Sequence, residues 1–401
     1  MNGSREIVSI LILLCGVTGC ATSGKAQREA ATPEASAAGA ATDDLAAFMT
    51  RQMDTAKFPG LAACIVKGDS VRWAQGFGYA DIASSKPVTP DTLFLLGSVA
   101  KAVTAVAVMQ LVEAGMIDLD ADVNTYLPFE VRNPAHPRVP ICARMLLAHT
   151  SSIRDDADIY RSLYTLNTGG GDSPMPLRQF LEHYLATGGD WIAPGVTYTG
   201  FAPGSQFHHS NVGVALAGYL VEAVSGLSFD AYCKRRIFEP LGMTDSHWFL
   251  SETNIENVAT PHRFDIVAKV FVPYAHYGHP AYPDGQLRAS VSQFARLIIA
   301  LMNDGRLEVA RVLRRESVEE LFTIQYPDQN PDLGLVWWYG LIGGHEAIGL
   351  DGGDAGVCTS VFFLRQEKIG VLLFANGDCS VIGDGVRFAI QERLLREAAA
   401  R

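Results

Sequence analysis

The sequence contains little positive charge for its length. Its 401 residues include 32 lysines and arginines against 43 aspartates and glutamates, which gives a formal net charge of −11. Proteins that bind nucleic acid draw much of their affinity from lysine and arginine placed on phosphates. The acidic balance therefore argues against a nucleic-acid partner, and a hydrophobic content of 48% argues against a disordered chain.

The N-terminus lacks a hydrophobic run long enough to span a membrane. The apolar run from Ile7 to Gly19 is shorter than the ~20 residues of a spanning helix, and its length is typical of a signal peptide. It ends in Val17-Thr18-Gly19-Cys20, which resembles the lipobox of bacterial lipoproteins. We therefore predict a signal peptide over residues 1–20 and lipidation of Cys20. A plain secretory signal, cleaved near Ala21, is the alternative.

The segment after this cysteine is poor in large apolar side chains. Residues 21–42 consist mainly of Ala, Ser, Thr, Gly, Pro and Glu, so we predict a flexible tether. Cys20 is followed by Ala21 and not by aspartate. In Gram-negative lipoproteins, the absence of aspartate at this position favours sorting to the outer membrane. The expected location is therefore the bacterial cell envelope, with the lipid anchor on Cys20 holding the protein to the outer membrane, facing the periplasm.

Cysteines and histidines with metal-ligand spacing are also lacking. Of seven cysteines, Cys15 would leave with the signal peptide and Cys20 would carry lipid, so an odd number remains. We predict no framework of disulfides and mostly buried cysteines that act as small hydrophobic residues. His208-His209, and His276 with His279, come without a convincing set of carboxylate or cysteine ligands, so no metal is predicted.

Hydrophobic periodicity predicts strands at both ends of the chain and helices between them. The residues from Ser98 to Glu113 are apolar nearly all round, which indicates a central, buried helix. The predicted fold class is α+β: an antiparallel sheet completed by both termini, flanked by N- and C-terminal helices, with an inserted mainly helical subdomain. We place the folded domain at 43–401, its α/β part at 43–95 and about 290–401, and its helical part at about 96–290.

One serine and one of the eight lysines stand three residues apart in Ser98-Val99-Ala100-Lys101. Residues i and i+3 share a helix face, so the amine would lie over the hydroxyl. Burial lowers the pKa of a lysine, and the neutral amine can then accept the serine proton. Taken alone, the tetrapeptide fits a helix-capping serine and a lysine lying along the surface equally well.

Further segments give this tetrapeptide a context. In chain order they are Pro87–Phe94, Met109–Gly115, Leu146–Ile153, Pro203-Gly204, His209-Ser210-Asn211, Tyr282–Leu287 and Gly352–Val357. Jointly they resemble the class C β-lactamase and penicillin-binding-protein superfamily of serine hydrolases, over roughly residues 43–395. The resemblance implies a serine β-lactamase/transpeptidase-like fold in which Ser98 is the nucleophile and Lys101 its base.

The second motif of that superfamily, Tyr-x-Asn, is altered here. His209 stands in the place of the tyrosine, while Asn211 is retained and is expected to bind Lys101 and a substrate carbonyl. An imidazole, with a pKa of ~6.5 against ~10 for a phenol, is the more conventional base at neutral pH. Because imidazole is shorter, it needs a different geometry to reach Ser98.

The third motif, Lys-Thr-Gly or His-x-Gly, is altered as well. It reads Leu350-Asp351-Gly352 here, and a leucine can neither bind a substrate carboxylate nor pass on a proton. By resemblance, the N–H groups of Ser98 and Gly353 would form the oxyanion hole, which tolerates side-chain changes because it is made of backbone. The residues expected to line the substrate site are Leu350, Asp351, Gly352, Tyr282 and Gln286. Packing is the alternative role for Tyr282 and Gln286, and a structural role as a strand or turn partner is the alternative for Asp351.

Two other groups are weaker candidates for catalysis. Ser151 and Ser152 lack the Gly-x-Ser-x-Gly turn of a triad hydrolase. His149 follows a predicted helix, and we interpret it as a structural hydrogen-bonding residue and not as a base.

We therefore expect a serine hydrolase that forms an acyl-enzyme on Ser98, with Lys101 as base assisted by His209. Relatives accommodate esters, amides, D-amino-acid peptides and β-lactams, and the loss of a basic residue at Leu350 favours neutral esters. No cofactor is expected, the partner is a small-molecule or peptide substrate, and the oligomeric state stays open. The alternative is a catalytically impaired module that binds cell-wall or related ligands, because two of three motifs are altered.

Overall fold

The computed structural model describes residues 45–193 and 195–400. The predicted signal peptide, the lipidation of Cys20 and the tether lie outside the described residues. The folded part is described from its first predicted helix onward.

Eleven α-helices are assigned within the described residues. The longest ones lie at the C-terminus, where the final helix closes the chain, and in the middle, where apolar sequence predicts buried helices. They are α1 Leu45–Ala56, α2 Lys101–Glu113, α3 Ala143–Leu147, α4 Ala157–Ser162, α5 Leu177–Leu185, α6 Asn211–Ser225, α7 Phe229–Cys233, α8 Glu239–Leu241, α9 Val291–Met302, α10 Arg315–Phe322 and α11 Val381–Ala400.

Strands come from both ends of the described chain. The first pair and the last four are long, and the others are short pairs in the region between. They are β1 Gly60–Lys67, β2 Ser70–Asp81, β3 Lys86–Pro87, β4 Phe94–Leu95, β5 His262–Asp265, β6 Val270–Pro273, β7 Arg288–Ala289, β8 Arg306–Leu307, β9 Ala310–Arg311, β10 Trp338–Ile342, β11 His345–Asp354, β12 Val357–Leu364 and β13 Ile369–Ala375.

The long strands and the short β3 form one antiparallel sheet in the order β10-β11-β12-β13-β1-β2-β3. The N-terminal hairpin of β1 and β2 joins the C-terminal strands through β1 and β13, where Leu61 pairs with Ala375 and Lys67 with Ile369. The predicted α+β fold, with a sheet completed by both ends of the chain, is therefore confirmed.

Each face of the sheet covers a separate hydrophobic core. Because side chains alternate along a strand, Leu372 and Phe374 of β13 enter the large core that contains α2, α6 and α9. Val371 and Leu373 of the same strand enter the smaller core under α1 and α11. Strands β12 and β13 are buried along their whole length because both faces are covered.

The structure corrects one expectation about the cysteines. Cys358 at the start of β12 and Cys379 before α11 form a disulfide across a sequence separation of 21. Cys64, Cys142 and Cys233 are buried thiols, as expected for small hydrophobic residues. The sequence did not reveal the pair because the two cysteines become neighbours only when β12 pairs with β13 and the chain turns into α11.

Within the described part of the chain, no single helix is long and apolar enough to cross a membrane. One bent pair, Asn211–Ser225 with Phe229–Leu241, passes on length and composition only when its two helices are taken together.

The disulfide yields a prediction about stability. Closing a loop of this length removes unfolded-state entropy worth about 3 kcal/mol. We expect the double substitution Cys358→Ala and Cys379→Ala to lower the free energy of unfolding by about that amount in urea titrations under oxidising conditions. Reduced wild-type protein should match the double variant. A loss that reduction does not reproduce would contradict this explanation.

Candidate active site

Ser98 lies at the junction between the sheet and the buried helix α2. It belongs to a 3₁₀ turn, Gly97–Ala100, which passes directly into α2 at Lys101. Gly97 has φ +53°, a left-handed value that favours glycine. The serine side chain stays partly exposed while its neighbours Gly97 and Val99 are buried, so the hydroxyl is the group that this turn presents.

The amine of Lys101 lies among three oxygen atoms. Its Nζ is 2.8 Å from Ser98 Oγ, 2.7 Å from Asn211 Oδ1 and 2.8 Å from the backbone carbonyl oxygen of Asp284. The residues come from α2, the start of α6 and the loop before β7. The structure thus brings together Ser98, Lys101 and Asn211, three of the residues that the sequence analysis assigned to catalysis.

Asn211 is held by a carboxylate at the start of its helix. Asp155 accepts hydrogen bonds from the backbone N–H groups of Asn211, at 2.7 Å, and Val212, at 3.0 Å, and from the hydroxyl of Ser210, at 2.8 Å. The Ser210 hydroxyl in turn accepts from the N–H of Gly213. Donors at a helix N-terminus attract a negative charge. Asp155 therefore fixes α6, and with it the amide that contacts Lys101.

Sequence reasoning missed Asp155. It stands 56 residues before Asn211, and nothing in the local sequence links the two positions. The signal that could have pointed to it is the start of an apolar helix at Ser210-Asn211, whose N–H groups require an acceptor.

Burial dominates the electrostatics of Lys101. The side chain is 2% exposed, and burial lowers the pKa of the amine although Asp284, Asp155 and Asp354 each oppose the shift. Burial also raises the pKa of Asp284 to about 8 and that of Asp354 to about 6. A protonated Asp284 carries no charge to hold an ammonium, so the neutral amine is favoured.

The loop before β7 serves the site through its backbone. The carbonyl of Asp284 accepts from Lys101, and the neighbouring carbonyl of Pro283 accepts from Thr104 Oγ1 at 2.6 Å. The Asp284 carboxyl accepts a hydrogen bond from the Tyr160 hydroxyl. The sequence analysis quoted this segment for its resemblance but assigned no role to Asp284.

His209 precedes Ser210 and Asn211 at the start of α6 but makes no hydrogen bond to the Ser98 and Lys101 pair among the described residues. Its ring packs on the ring of His149 with centroids 4.4 Å apart. Burial lowers the pKa of His209 to about 3, so the imidazole stays neutral at ordinary pH. Among the described residues, it makes no hydrogen bond to Ser98 or Lys101, and its assistance in catalysis stays a prediction.

His149 positions the segment that carries His209. Its Nδ1 accepts from the backbone N–H of Ser210 at 3.2 Å, and its carbonyl accepts from the N–H of His208 at 2.7 Å. It follows α3 with φ +55°. The interpretation of His149 as a structural hydrogen-bonding residue is therefore confirmed.

Strand β11 approaches the nucleophile without room for side chains. A Cβ built on Gly352 would lie 2.3 Å from Thr359 Oγ1, 2.4 Å from the Leu96 carbonyl oxygen and 3.1 Å from Ser98 N. Thr359 donates to that same Leu96 carbonyl at 2.6 Å. On the serine side, a Cβ on Gly97 would lie 3.2 Å from Gly353 N. The backbone of β11 therefore borders the turn that contains Ser98.

Leu350 and Asp351, the other two residues of the third motif, have side chains on opposite faces of β11. Leu350 is 3% exposed and belongs to the large core. Asp351 lies on the opposite face of β11, where Arg387 of α11 contacts its carboxylate at 3.3 Å. The expectation that Asp351 lines the substrate site is wrong, because strand alternation turns its side chain away from Gly352.

Tyr282 and Gln286, also expected to line the site, are buried as well. Tyr282 packs against Trp248 and Phe249, and its hydroxyl donates to Glu222 at 3.0 Å. Gln286 is 1% exposed. These side chains belong to the core, because the short turn that delivers the Asp284 carbonyl to Lys101 directs them into the protein.

No group of three or more His, Cys, Asp or Glu side chains within the described ranges is arranged to hold a metal ion. A surface groove of about 550 Å³ lies beside β10, lined by residues such as Phe322, Tyr339 and Arg365. It shares no residue with the site around Ser98.

Comparison with known proteins places the chain in a family. The model of the beta-lactamase family matches residues 45–392, so the chain belongs to that family. The curated proteins that this chain is similar to include penicillin-binding proteins. The fold and the Ser98, Lys101 and Asn211 arrangement agree with the serine-hydrolase resemblance seen in the sequence.

Individual relatives match with partial coverage. Penicillin-binding protein 4 of Amycolatopsis lactamdurans is 35% identical over 206 residues, which is 51% of this chain and 48% of that protein. The chain spans about half the length of the curated relatives it matches.

Two solved structures share the fold over most of the chain. The octameric penicillin-binding protein homologue from Pyrococcus abyssi has a TM-score of 0.70 at 25% identity, over 88% of this chain and 77% of that one. D-amino acid amidase from Ochrobactrum anthropi SV3 has a TM-score of 0.70 at 21% identity, over 89% and 99%, and this likeness concerns the fold alone.

The close approach of β11 gives a prediction. Because a methyl group at Gly352 would displace the strand from Ser98, Gly352→Ala should cost about 1–3 kcal/mol of stability and slow labelling of Ser98 by a fluorophosphonate by about 100-fold. The matched control is Gly340→Ala on β10, where a Cβ meets nothing within 4 Å. Equal labelling rates in the two folded variants would contradict the role given to β11.

Proposed function

We propose that the protein is a serine hydrolase that cleaves ester or amide substrates through an acyl-enzyme on Ser98. Its membership of the beta-lactamase family supports this reaction class. The hydrolytic activity, the acyl-enzyme and the substrate preference go beyond that family membership and are our proposal.

The hydrogen bonds of Lys101 carry the proposal. The carbonyl of Asp284 can only accept, and the Asn211 side chain faces the amine with its carbonyl oxygen. A neutral amine has two N–H bonds, which these two oxygens occupy. Its lone pair is then directed to Ser98 Oγ at 2.8 Å. This is the arrangement that a base needs to take the proton of a serine nucleophile.

The first half-reaction follows from this geometry. The Ser98 hydroxyl gives its proton to Lys101 Nζ as Oγ bonds to the substrate carbonyl carbon, and the electron pair of the carbonyl moves to its oxygen. Backbone N–H groups of Ser98 and Gly353 stabilise that oxyanion. When the intermediate collapses, the bond to the leaving alcohol or amine breaks, the ammonium of Lys101 returns the proton to the leaving group, and the acyl group stays on Ser98.

Water completes the cycle by the same groups. It attacks the acyl carbon while Lys101 accepts its proton, and the acid leaves as Oγ recovers a proton from the ammonium. We propose that neutral His209, whose ring packs on His149, assists the proton transfers to and from the leaving group and water. No cofactor takes part in these steps.

The absence of a basic side chain at Leu350 shapes the proposed substrate class. Buried in the large core, Leu350 offers no charge to a carboxylate. We propose that esters and amides without a carboxylate near the scissile bond are better substrates than β-lactams or carboxylate-bearing peptides.

The cellular setting belongs to the proposal as well. The lipobox-like sequence ending at Cys20 supports a lipid-anchored protein in the bacterial cell envelope, at the outer membrane and facing the periplasm. Its substrate is then a small molecule or peptide of that compartment.

Intact-protein mass spectrometry tests the nucleophile. We expect a fluorophosphonate to form a single adduct on the wild type and none on Ser98→Ala, and a penicillin to react far more slowly because Leu350 leaves its carboxylate without a partner. The Ser151→Ala variant is the matched control and should be labelled like the wild type. No adduct on folded wild-type protein would contradict the proposal and favour the binding module, a reading supported by the two altered motifs.

The pH dependence tests the assignment of the base. Since only the neutral amine accepts a proton, kcat/KM for a neutral phenyl ester should rise with pH through the pKa of Lys101, which lies below the ordinary ~10.4 of lysine. His209, with its pKa near 3, should add no inflection near pH ~6.5. His209→Asn should lower kcat by up to ~100-fold without moving the rising limb.

His208→Asn serves as the control for this variant, because it changes the neighbouring imidazole and leaves His209 in place. An inflection near pH ~6.5 that disappears in His209→Asn would show that His209, and not Lys101, is the titrating base.

A further inference from the structure

One side of the site is made of carboxyl groups and aromatic rings. Asp354 follows the backbone donor Gly353 on β11, and Tyr160 and Tyr164 come from α4 and the turn after it. Asp354, Tyr160 and Tyr164 are all partly exposed. A Cβ on Gly97 would lie 3.2 Å from Gly353 N, and the Tyr160 hydroxyl donates to the carboxyl of Asp284, whose carbonyl contacts Lys101, so this corner borders the reacting groups.

The Asp354 carboxylate has capacity that the protein does not use. Oδ1 accepts from the N–H of Ala355 at 2.8 Å, Oδ2 accepts from the Tyr164 hydroxyl at 3.2 Å, and the Tyr277 side chain also interacts with this carboxyl. A carboxylate offers about four acceptor positions. Among the described residues, Asp354 forms no ion pair with a lysine, arginine or histidine, whereas Asp351 on the other face of the strand is paired with Arg387.

Aromatic rings pack together beside this carboxylate. The Tyr160 and Tyr164 rings meet edge to face with centroids 5.7 Å apart, and the His279 ring lies 5.3 Å and 4.8 Å from them. The faces of tyrosine rings carry partial negative charge and attract cations.

His279 adds an acceptor without a donor. It is 3% exposed, its Nε2 faces the Asp284 carboxyl at 3.7 Å, and its Nδ1 has no hydrogen-bond partner. In the tautomer whose Nε2–H points to Asp284, Nδ1 keeps an unused lone pair. Burial keeps this imidazole neutral by lowering its pKa to about 3. A buried acceptor left unpaired is costly, and a ligand that supplies a donor would relieve it.

We propose that this corner, formed by Asp354, Tyr160, Tyr164 and His279, binds a protonated amine of the substrate. A carboxylate, ring faces and an imidazole acceptor all suit a group that is cationic and only donates hydrogen bonds. The inference rests on the proposed function, because an amine site matters for catalysis only if Ser98 is acylated. It names amine-bearing esters and amides as the substrate class of the same site. Asp354 is then the specificity-determining residue.

Binding without turnover provides the first test. Glycinamide and β-alaninamide are compared with propionamide and butyramide, in which a methyl group replaces each ammonium, by ligand-observed NMR on the whole protein at pH ~7, below the ~8 of an α-amine. We expect at least one amine to bind roughly ten- to hundredfold more tightly than its isostere. Equal binding within both pairs would overturn the inference, and this comparison needs no variant.

A charge-matched pair of variants locates the effect. Asp354→Asn keeps the size of the side chain and one acceptor oxygen but removes the charge, so the preference for the amine should fall by roughly tenfold or more. Asp158→Asn removes the same charge from an exposed position on α4 and should leave the preference unchanged. A preference that survives Asp354→Asn, or that Asp158→Asn reduces equally, would overturn the assignment to Asp354.

Turnover separates this inference from the proposed function. Hydrolysis of glycine benzyl ester and benzyl propionate is followed by release of benzyl alcohol, alongside fluorophosphonate labelling of Ser98. A higher kcat/KM for the glycine ester that Asp354→Asn removes supports both proposals. Labelling with equal or better hydrolysis of the propionate leaves the hydrolase standing and overturns the amine site. Absence of labelling and of hydrolysis overturns the hydrolase, while the binding comparison still decides the amine site.

Discussion

The amine of Lys101 has three oxygen neighbours and almost no exposure to solvent, and the rest of the site depends on this environment. Two of those oxygens, on Asn211 and Asp284, take the N–H bonds of a neutral amine and leave its lone pair for Ser98. Burial is what makes the neutral form available, because charging an amine inside an apolar core is costly. Helix α2 supplies that burial by being apolar all round.

Holding these atoms together requires three separate parts of the chain to meet within hydrogen-bond distance. Asp155 secures the start of α6, and the turn before β7 is fixed by the Pro283 carbonyl on Thr104. Strand β11 closes the other side, where glycine at position 352 permits contact between backbones. The sheet can serve as a rigid base for this contact because both of its faces are covered by packed helices.

Backbone and side chains divide the work of the site, and this division explains which changes the chain tolerates. The N–H groups proposed as oxyanion donors and the third oxygen at Lys101 are main-chain groups, and they do not depend on the identity of a side chain. The second and third motifs present side chains, and there the sequence departs from the motifs of the superfamily it resembles, with His209 for tyrosine and Leu350 for a basic residue. Neither change touches the contacts that join Ser98, Lys101 and Asn211.

The amino-acid sequence by itself determined the fold class and the pairing of Ser98 with Lys101, because hydrophobic periodicity and i, i+3 spacing are local properties that survive in a linear reading. Asn211 was assigned through the resemblance of its motif to the β-lactamase superfamily. Only the tertiary structure decided the partners of these residues: Asp155, the carbonyl of Asp284, the Cys358–Cys379 disulfide and the outward turn of Asp351. These depend on contacts between residues that are distant in the chain or on the alternation of a strand whose register the sequence leaves open. Burial of Tyr282 and Gln286 was decided in the same way, by a turn that gives its backbone to the site and its side chains to the core.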